Sequence, residues 1–345
     1  MKIALLGLAQ SGKKTLFTLL TGRDVSGAMK PGAGELLEGV APIRDKRIDV
    51  LSSMYNPKKT TYAENQIVLC PDITENNKAR EWMAPALRSD LLFVLIRSFE
   101  SSGVYHPSGS IDSERDKAMI GDELLFADMQ LVDTRLQRLA KEKKAGQTTA
   151  QAMEEEILLR FSEALEAEKP LSTIALQPHE EAVIRSLDLM TRKPILFAYN
   201  VSEDDLGEEQ EGGVFSISCE IEKEIAAIED EEERLEFMKE MGLTMPSLDR
   251  INAALYDALG LMSFYTVGED ECRAWTIRKG SVAPVAGGKI HSDIERGFIR
   301  AEVIKYDDLI SAGSEQAVKK NGKMQLNGKD YIIEDGDICN FLFNV

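Results

Sequence analysis

The residues with the clearest chemical content are Gly7-Leu8-Ala9-Gln10-Ser11-Gly12-Lys13-Lys14-Thr15. Two glycines separated by four residues, the second followed by lysine, make the pattern of a phosphate-binding loop. Gly7 and Gly12 let backbone N–H groups turn inward around phosphate oxygens, with Gln10 and Ser11 in the turn between them. The helix that follows adds its positive end, and Lys13 reaches the terminal phosphates. The next residue in such loops carries a hydroxyl that binds the Mg²⁺ bridging the phosphates. Here it is Lys14, which sets an ammonium at that point. The loop is therefore suited to holding ATP or GTP and poorly suited to Mg²⁺-assisted hydrolysis. The plain alternative is a glycine turn with two solvated lysines.

Such a loop needs a strand before it and a helix after it. Lys2-Ile3-Ala4-Leu5-Leu6 is a short apolar run of strand type, and Thr15-Leu16-Phe17-Thr18-Leu19-Leu20 reads as helix. Further strands are expected over Asn65–Asp72, Asp90–Arg97, Lys193–Asn200 and Val214–Ser218, the second a near-continuous apolar run of central parallel type. Strands alternating with helical segments imply a doubly wound α/β sheet. Gly22 to Gly39, rich in small residues, reads as a loop, and Arg47 to Leu51 starts a short helix. Leucine-type residues recur at spacings of three and four from Asp122 to Lys144 and from Ala150 to Glu168, with Gly146 between. That is a helical hairpin, of antiparallel coiled-coil kind, followed by a third helix near His179–Met190. Its leucine stripes are most simply its own seam. From Leu261 onward, strand-like pieces at Cys272–Ile277, Phe298–Ile304, Lys329–Ile333 and Ile338–Phe343 make a small β-grasp-like α+β domain.

The 345 residues, 43% of them hydrophobic, suffice for two or three domains. No run of about 18 apolar residues occurs, so no membrane span is expected. No signal-peptide pattern opens the sequence. Cys70, Cys219, Cys272 and Cys339 are scattered and read as reduced thiols of a cytoplasmic protein. The net charge of −18 is uneven: Glu203 to Glu240 holds 16 acids and 3 bases, whereas Met262 to Val345 holds 13 acids and 11 bases. A negative field of this size opposes DNA or bare RNA as a simple electrostatic partner, but leaves RNA contact open to the near-neutral C-terminal part. His106, His179 and His291 have no evident partners in the sequence. Trp275 and Phe298 read as core of the small domain, with base stacking the minor alternative.

Asn200-Val201-Ser202-Glu203 follows the strand ending at Tyr199. GTPases carry Asn-Lys-x-Asp there, the Asp accepting from guanine. With Val201 and the longer Glu203, that guanine-reading pair is not reproduced and adenine becomes plausible. Together with Arg273-Ala274-Trp275-Thr276-Ile277, Ile290 to Glu302, Gly328-Lys329-Asp330-Tyr331, Asp335-Gly336-Asp337 and the run from Asp230 to Leu243, the chain resembles the YchF family, Obg-related P-loop NTPases that prefer ATP over GTP. The resemblance spans nearly the whole chain. It implies a nucleotide-binding domain over 1–121 and 193–260, the helical insert over 122–192 and a TGS domain over 261–345. It also implies that Gly7, Gly12 and Lys13 cradle phosphates, that Thr15 contacts the α-phosphate region, and that Asn200 and Glu203 sit by the base. Ser218 and Cys219 fall in the next base-side loop, and Asp72 matches an acid that holds Mg²⁺ through water.

The departures from the family pattern converge on hydrolysis. Lys14 replaces the metal hydroxyl. Asp72-Ile73-Thr74-Glu75 lacks the glycine that senses the γ-phosphate, and Asn76-Asn77-Lys78 follows where a glycine-rich stretch is usual. The first switch sequence is absent from Gly22–Gly39. The expected activity is thus nucleotide binding with at most slow ATPase or GTPase turnover, acting on the ribosome or on RNA through the TGS domain. The alternative is a nucleotide-free scaffold that works through its hairpin and C-terminal domain.

Overall fold

The computed structural model describes residues 1–25, 37–74, 80–101, 103–206 and 215–344. The middle of the expected Gly22–Gly39 loop, Glu75 to Lys78, and Val214 lie outside them. The chain divides into two compact units. One joins Met1–Val40 to Gln66–Ile251, and the other joins Ala41–Asn65 to Asn252–Val345. The expected division left 41–65 with the nucleotide-binding part; in the structure they pack with the C-terminal residues.

In chain order the first elements are β1 (Lys2–Leu6), α1 (Lys13–Thr21), β2 (Leu37–Ile43), α2 (Lys46–Tyr55), β3 (Lys59–Thr61), β4 (Ala63–Leu69), α3 (Met83–Leu87) and β5 (Leu91–Ser98). Then come α4 (Ser113–Glu142), α5 (Thr149–Glu166), α6 (Pro178–Ile184), β6 (Ile195–Val201), β7 (Phe215–Ile217), α7 (Cys219–Ala227), α8 (Glu231–Glu240) and α9 (Ser247–Ala258). The first sheet has the order β2-β4-β1-β5-β6-β7. The β4/β1, β1/β5, β5/β6 and β6/β7 pairs are all parallel. Seven of the eight residues of β5 are buried, as a strand covered on both faces requires. Trp82, Ile120, Leu124 and Ala127 close one face over Ala4, Leu6, Val94 and Ile96. No helix among the described residues is long and apolar enough to cross a membrane.

Helix α4 starts at Ser113, nine residues before the hairpin expected from Asp122, because Asp112 caps it by accepting from the Arg115 N–H at 3.0 Å. Its first turns pack on the sheet. Its later turns meet α5 through Val132, Leu139, Ile157, Leu158 and Phe161. Arg135 forks onto Glu154 at 2.6 and 2.8 Å across that seam. The stripes therefore are the hairpin's own core. The expected third helix is cut short at Ile184. Asp188 takes a left-handed backbone (φ 51°), and the chain re-enters the sheet through a 3₁₀ turn at Met190–Arg192. Buried Asp128 of α4 holds this turn, accepting from the N–H groups of Met190 and Thr191 and from the Thr191 hydroxyl, each at 2.7 Å.

The second unit continues with β8 (Leu261–Thr266), β9 (Glu271–Arg278), α10 (Ala283–Ile290), α11 (Ser292–Arg296), β10 (Phe298–Ile304), α12 (Tyr306–Ala312), α13 (Glu315–Lys320), β11 (Gln325–Asn327) and β12 (Ile338–Phe343). Its sheet has the order β11-β10-β12-β8-β9-β3. Strand β3 runs parallel to β9 with Thr60 opposite Cys272, which is why 41–65 belong here. Lys329–Ile333, expected as a strand, is not one. The strand is Gln325–Asn327, and Ile332 makes only an isolated bridge to Val282. The Tyr331 hydroxyl and Lys305 are both bound to buried Asp337, so this segment is pinned point by point instead of by a ladder. Trp275 and Phe298 lie in the α10-side core, as expected.

Asp128→Ala should leave two buried N–H groups and a hydroxyl without acceptors. Each such loss costs about 1–3 kcal/mol, so a fall of several kcal/mol in unfolding free energy is expected. Urea melts of the two proteins check it, and an unchanged midpoint would refute the capping role.

Candidate functional site

Strand β1 ends at Leu6, and its loop turns on three positive-φ residues, Gly7 (153°), Gln10 (62°) and Gly12 (95°). At Gly7 a Cβ would stand 2.4 Å from the Leu95 carbonyl oxygen, and at Gly12 2.3 Å from the Asn200 Nδ2. Both positions require glycine because backbone and amide approach too closely for a side chain. Ser11 is buried in this turn, and its Oγ has no hydrogen-bond partner among the described residues. Gln10 and Lys14 are exposed.

Lys13 opens α1 with only 4% of its side chain exposed. Its ammonium donates to the Gly7 carbonyl at 2.8 Å and the Leu8 carbonyl at 3.3 Å, and pairs with the Asp72 carboxylate. Burial pulls its pKa below the usual lysine range, with Asp72 opposing that shift. Asp72 itself is half exposed, delivered by the chain leaving β4.

Asn200, at the end of β6, ties the loop to the other side of the site. Its Nδ2 donates to the Ser11 carbonyl at 3.0 Å, and its Oδ1 accepts from the Cys219 N–H at 3.1 Å. One N–H and one oxygen lone pair of the amide are thereby bound to backbone, which ties the loop to the start of α7. Ser218 caps α7, its Oγ accepting from the Ile221 N–H at 3.4 Å.

Between these elements lies a cavity of about 340 Å³. Of the residues expected from sequence, it gathers Gly12, Thr15, Asn200, Val201, Glu203, Ser218 and Cys219. Gly7, Gln10, Ser11, Lys13 and Lys14, in the loop, and Asp72, after β4, do not line it. Ser202, Phe99, Glu100, Glu220 and Lys223 complete the wall. None of these five was singled out from sequence. Phe99 and Glu100 follow β5 directly, and the carboxyl end of a central parallel strand is the signal that marks them. Arg97, 3% exposed, fixes that corner. It donates to the carbonyls of Phe99 at 3.2 Å and Val104 at 3.1 Å, and its guanidinium lies 4.5 Å from the Phe99 ring centre.

The thiols contribute no nucleophile. All four cysteines are free and buried, and burial pushes Cys70 and Cys219 up to about 12. His106 does have a partner. It is buried against Asp116 at 2.9 Å, and its Nδ1 accepts from the Ser108 N–H, closing the segment before α4. His291 caps α11 by accepting from the Asp293 N–H.

A family model named YchF-GTPase_C, described as a protein of unknown function, matches residues 261–344. The "Ribosome-binding ATPase YchF" of Bacillus subtilis is 35% identical, covering 99% of this chain and 98% of its own. The "Obg-like ATPase 1" of Caenorhabditis elegans is 33% identical, covering 100% and 92%. The solved Schizosaccharomyces pombe YchF GTPase superposes with a TM-score of 0.84 at 29% identity, over 99% of this chain and 97% of that one. Identity of this degree along the length of both chains places the protein in the YchF family.

Proposed function

We propose that the protein binds a purine nucleoside triphosphate, ATP in preference to GTP, in the cavity beside the Gly7–Thr15 loop. The observation that carries this reading is the joining of the loop to the base-side wall by Asn200. The residues suit the ligand. Gly7 and Gly12 keep the cradle clear, the Ser11 hydroxyl lacks a partner, and Lys13 is a buried cation that a phosphate would stabilise. Thr15, Val201 and Glu203 line the cavity; in this reading Thr15 would meet the α-phosphate region, and Val201 and Glu203 would stand where the guanine-reading pair is usual.

The donors do not suit Mg²⁺. Lys14 is an ammonium where the metal needs an oxygen, and Asp72 is paired with Lys13. Binding is therefore carried by protein cations, and hydrolysis is slow or absent because an ammonium cannot orient phosphate oxygens as a metal does. By analogy with relatives called ribosome-binding ATPases, the partner is the ribosome, the 261–345 part is a TGS domain and the protein is cytoplasmic. The second reading, a nucleotide-free scaffold, draws support from Lys13 being satisfied internally by two carbonyls and Asp72.

Calorimetry with ATP and GTP, with and without Mg²⁺, separates the two readings. ATP heat that persists in EDTA supports the first, and no heat with either nucleotide leaves the scaffold. Lys13→Ala should weaken ATP binding by about 10–100-fold, the worth of one charged hydrogen-bonding group. Lys14→Ser should make binding depend on Mg²⁺, and no gain in that dependence would refute the role given to Lys14. Arg97→Ala should weaken ATP binding about tenfold through loss of the Phe99 corner. Unchanged affinity would show that Arg97 serves only the fold.

A further inference from the structure

A lysine ammonium has three N–H donors, and the chain engages all those of Lys13. They meet the Gly7 carbonyl at 2.8 Å, the Leu8 carbonyl at 3.3 Å and the Asp72 carboxylate. A polyphosphate can bind this lysine only by displacing one of these acceptors. The two carbonyls are poorly placed to leave. Both belong to the loop that would cradle the ligand, and the Gly7 oxygen also accepts from the Ile73 N–H at 3.1 Å. Leu8 is 5% exposed and forms a bridge with Ile73. Asp72 differs from them. Its side chain is 51% exposed where that of Lys13 is 4% exposed, and it lies past the end of β4 at Leu69. Its carboxylate can turn into water and be solvated there at small cost.

We propose that Asp72 is an autoinhibitory latch on the phosphate loop, its carboxylate occupying Lys13 until the terminal phosphates of a ligand displace it. The proposal rests on the nucleotide reading above and names what the ligand must displace. The chemistry is an exchange of one anion for another on a fixed cation. A phosphate oxygen within hydrogen-bond reach of Lys13 would stand beside Asp72, and two anions at that separation repel. Carboxylate and phosphate therefore alternate on Lys13. An acid that held Mg²⁺ at this point would act in the opposite sense, because the metal draws carboxylate and phosphates together. Here Lys14 withholds one oxygen that the metal would use, and the pairing with Lys13 takes up the carboxylate that remains. The latch also reconciles the two readings of the site. A Lys13 satisfied internally is what a closed but working loop presents.

The test compares the full chain with Asp72→Asn, which keeps the shape and removes the charge, and with Asp72→Ala. Binding of ATP and of inorganic tripolyphosphate is measured by calorimetry in EDTA and again in Mg²⁺. Asp133→Asn, at an exposed position of α4, controls for the loss of one acid from a chain of net charge −18. In EDTA both Asp72 variants should bind both ligands about tenfold more tightly than the native chain, the order of one hydrogen bond to a charged group. Asp133→Asn should bind as the native chain does. Trace acetylation read by mass spectrometry needs no ligand. It should modify Lys13 faster in Asp72→Asn, because the carboxylate no longer favours the protonated amine. Simple repulsion between Asp72 and a ligand would not move that readout. Native affinity in the Asp72 variants together with native Lys13 reactivity would overturn the latch and leave the nucleotide reading standing. A loss of affinity confined to Mg²⁺ would also overturn it, since that is the mark of a metal ligand. Tighter tripolyphosphate binding with no ATP binding by any of the proteins would keep the latch and sink the nucleotide reading. No binding of either ligand by any of them would overturn both.

Discussion

A single side-chain amide sets the geometry of the site. Asn200 bonds to the Ser11 carbonyl with one end and to the Cys219 N–H with the other, so three segments far apart in sequence become one wall. Gly12 is glycine because the amide arrives where a Cβ would be. Thr15, Glu203 and Lys223 line one cavity because the loop and α7 are held at this separation. The parallel β5/β6 register, with Arg97 opposite Asn200, brings the Phe99 corner to the same place. The amide keeps one N–H and one oxygen lone pair beyond these two bonds.

Charge is distributed with equal consequence. Lys13 is buried, which lowers its pKa, and its ammonium is held by Asp72 and by the Gly7 and Leu8 carbonyls. Under the proposed function, Lys14 stands as a second cation where a metal ligand is usual, and bound triphosphate would be neutralised by the protein, which favours retention over turnover.

Much of this was legible in the residues. The loop, its strand and helix, the apolar β5 and β6 and the hairpin seam carry local periodicities that the structure retains. Pairings across long stretches of sequence were not legible. Thr60 and Cys272 are neighbours in a sheet, and no local pattern announces it. Asp128 looks like one more charge on α4 until the turn at Met190 arrives to use it. Lys329–Ile333 looks strand-like in sequence, but it meets Ser281–Ala283 at only two backbone hydrogen bonds around one bridge, and the Tyr331 hydroxyl goes to Asp337. Phe99 belongs to no motif. It lines the cavity because a parallel strand ends there and Arg97 holds the chain that follows.

The most direct measurement is amide hydrogen exchange of the full chain with and without ATP, read over residues 7–15, 97–104 and 200–223. A nucleotide spanning the Asn200 tie should protect all three segments together, and should do so in EDTA as well as in Mg²⁺. Protection confined to the Gly7–Thr15 loop, or present only with Mg²⁺, would contradict a single metal-free site closed by Asn200.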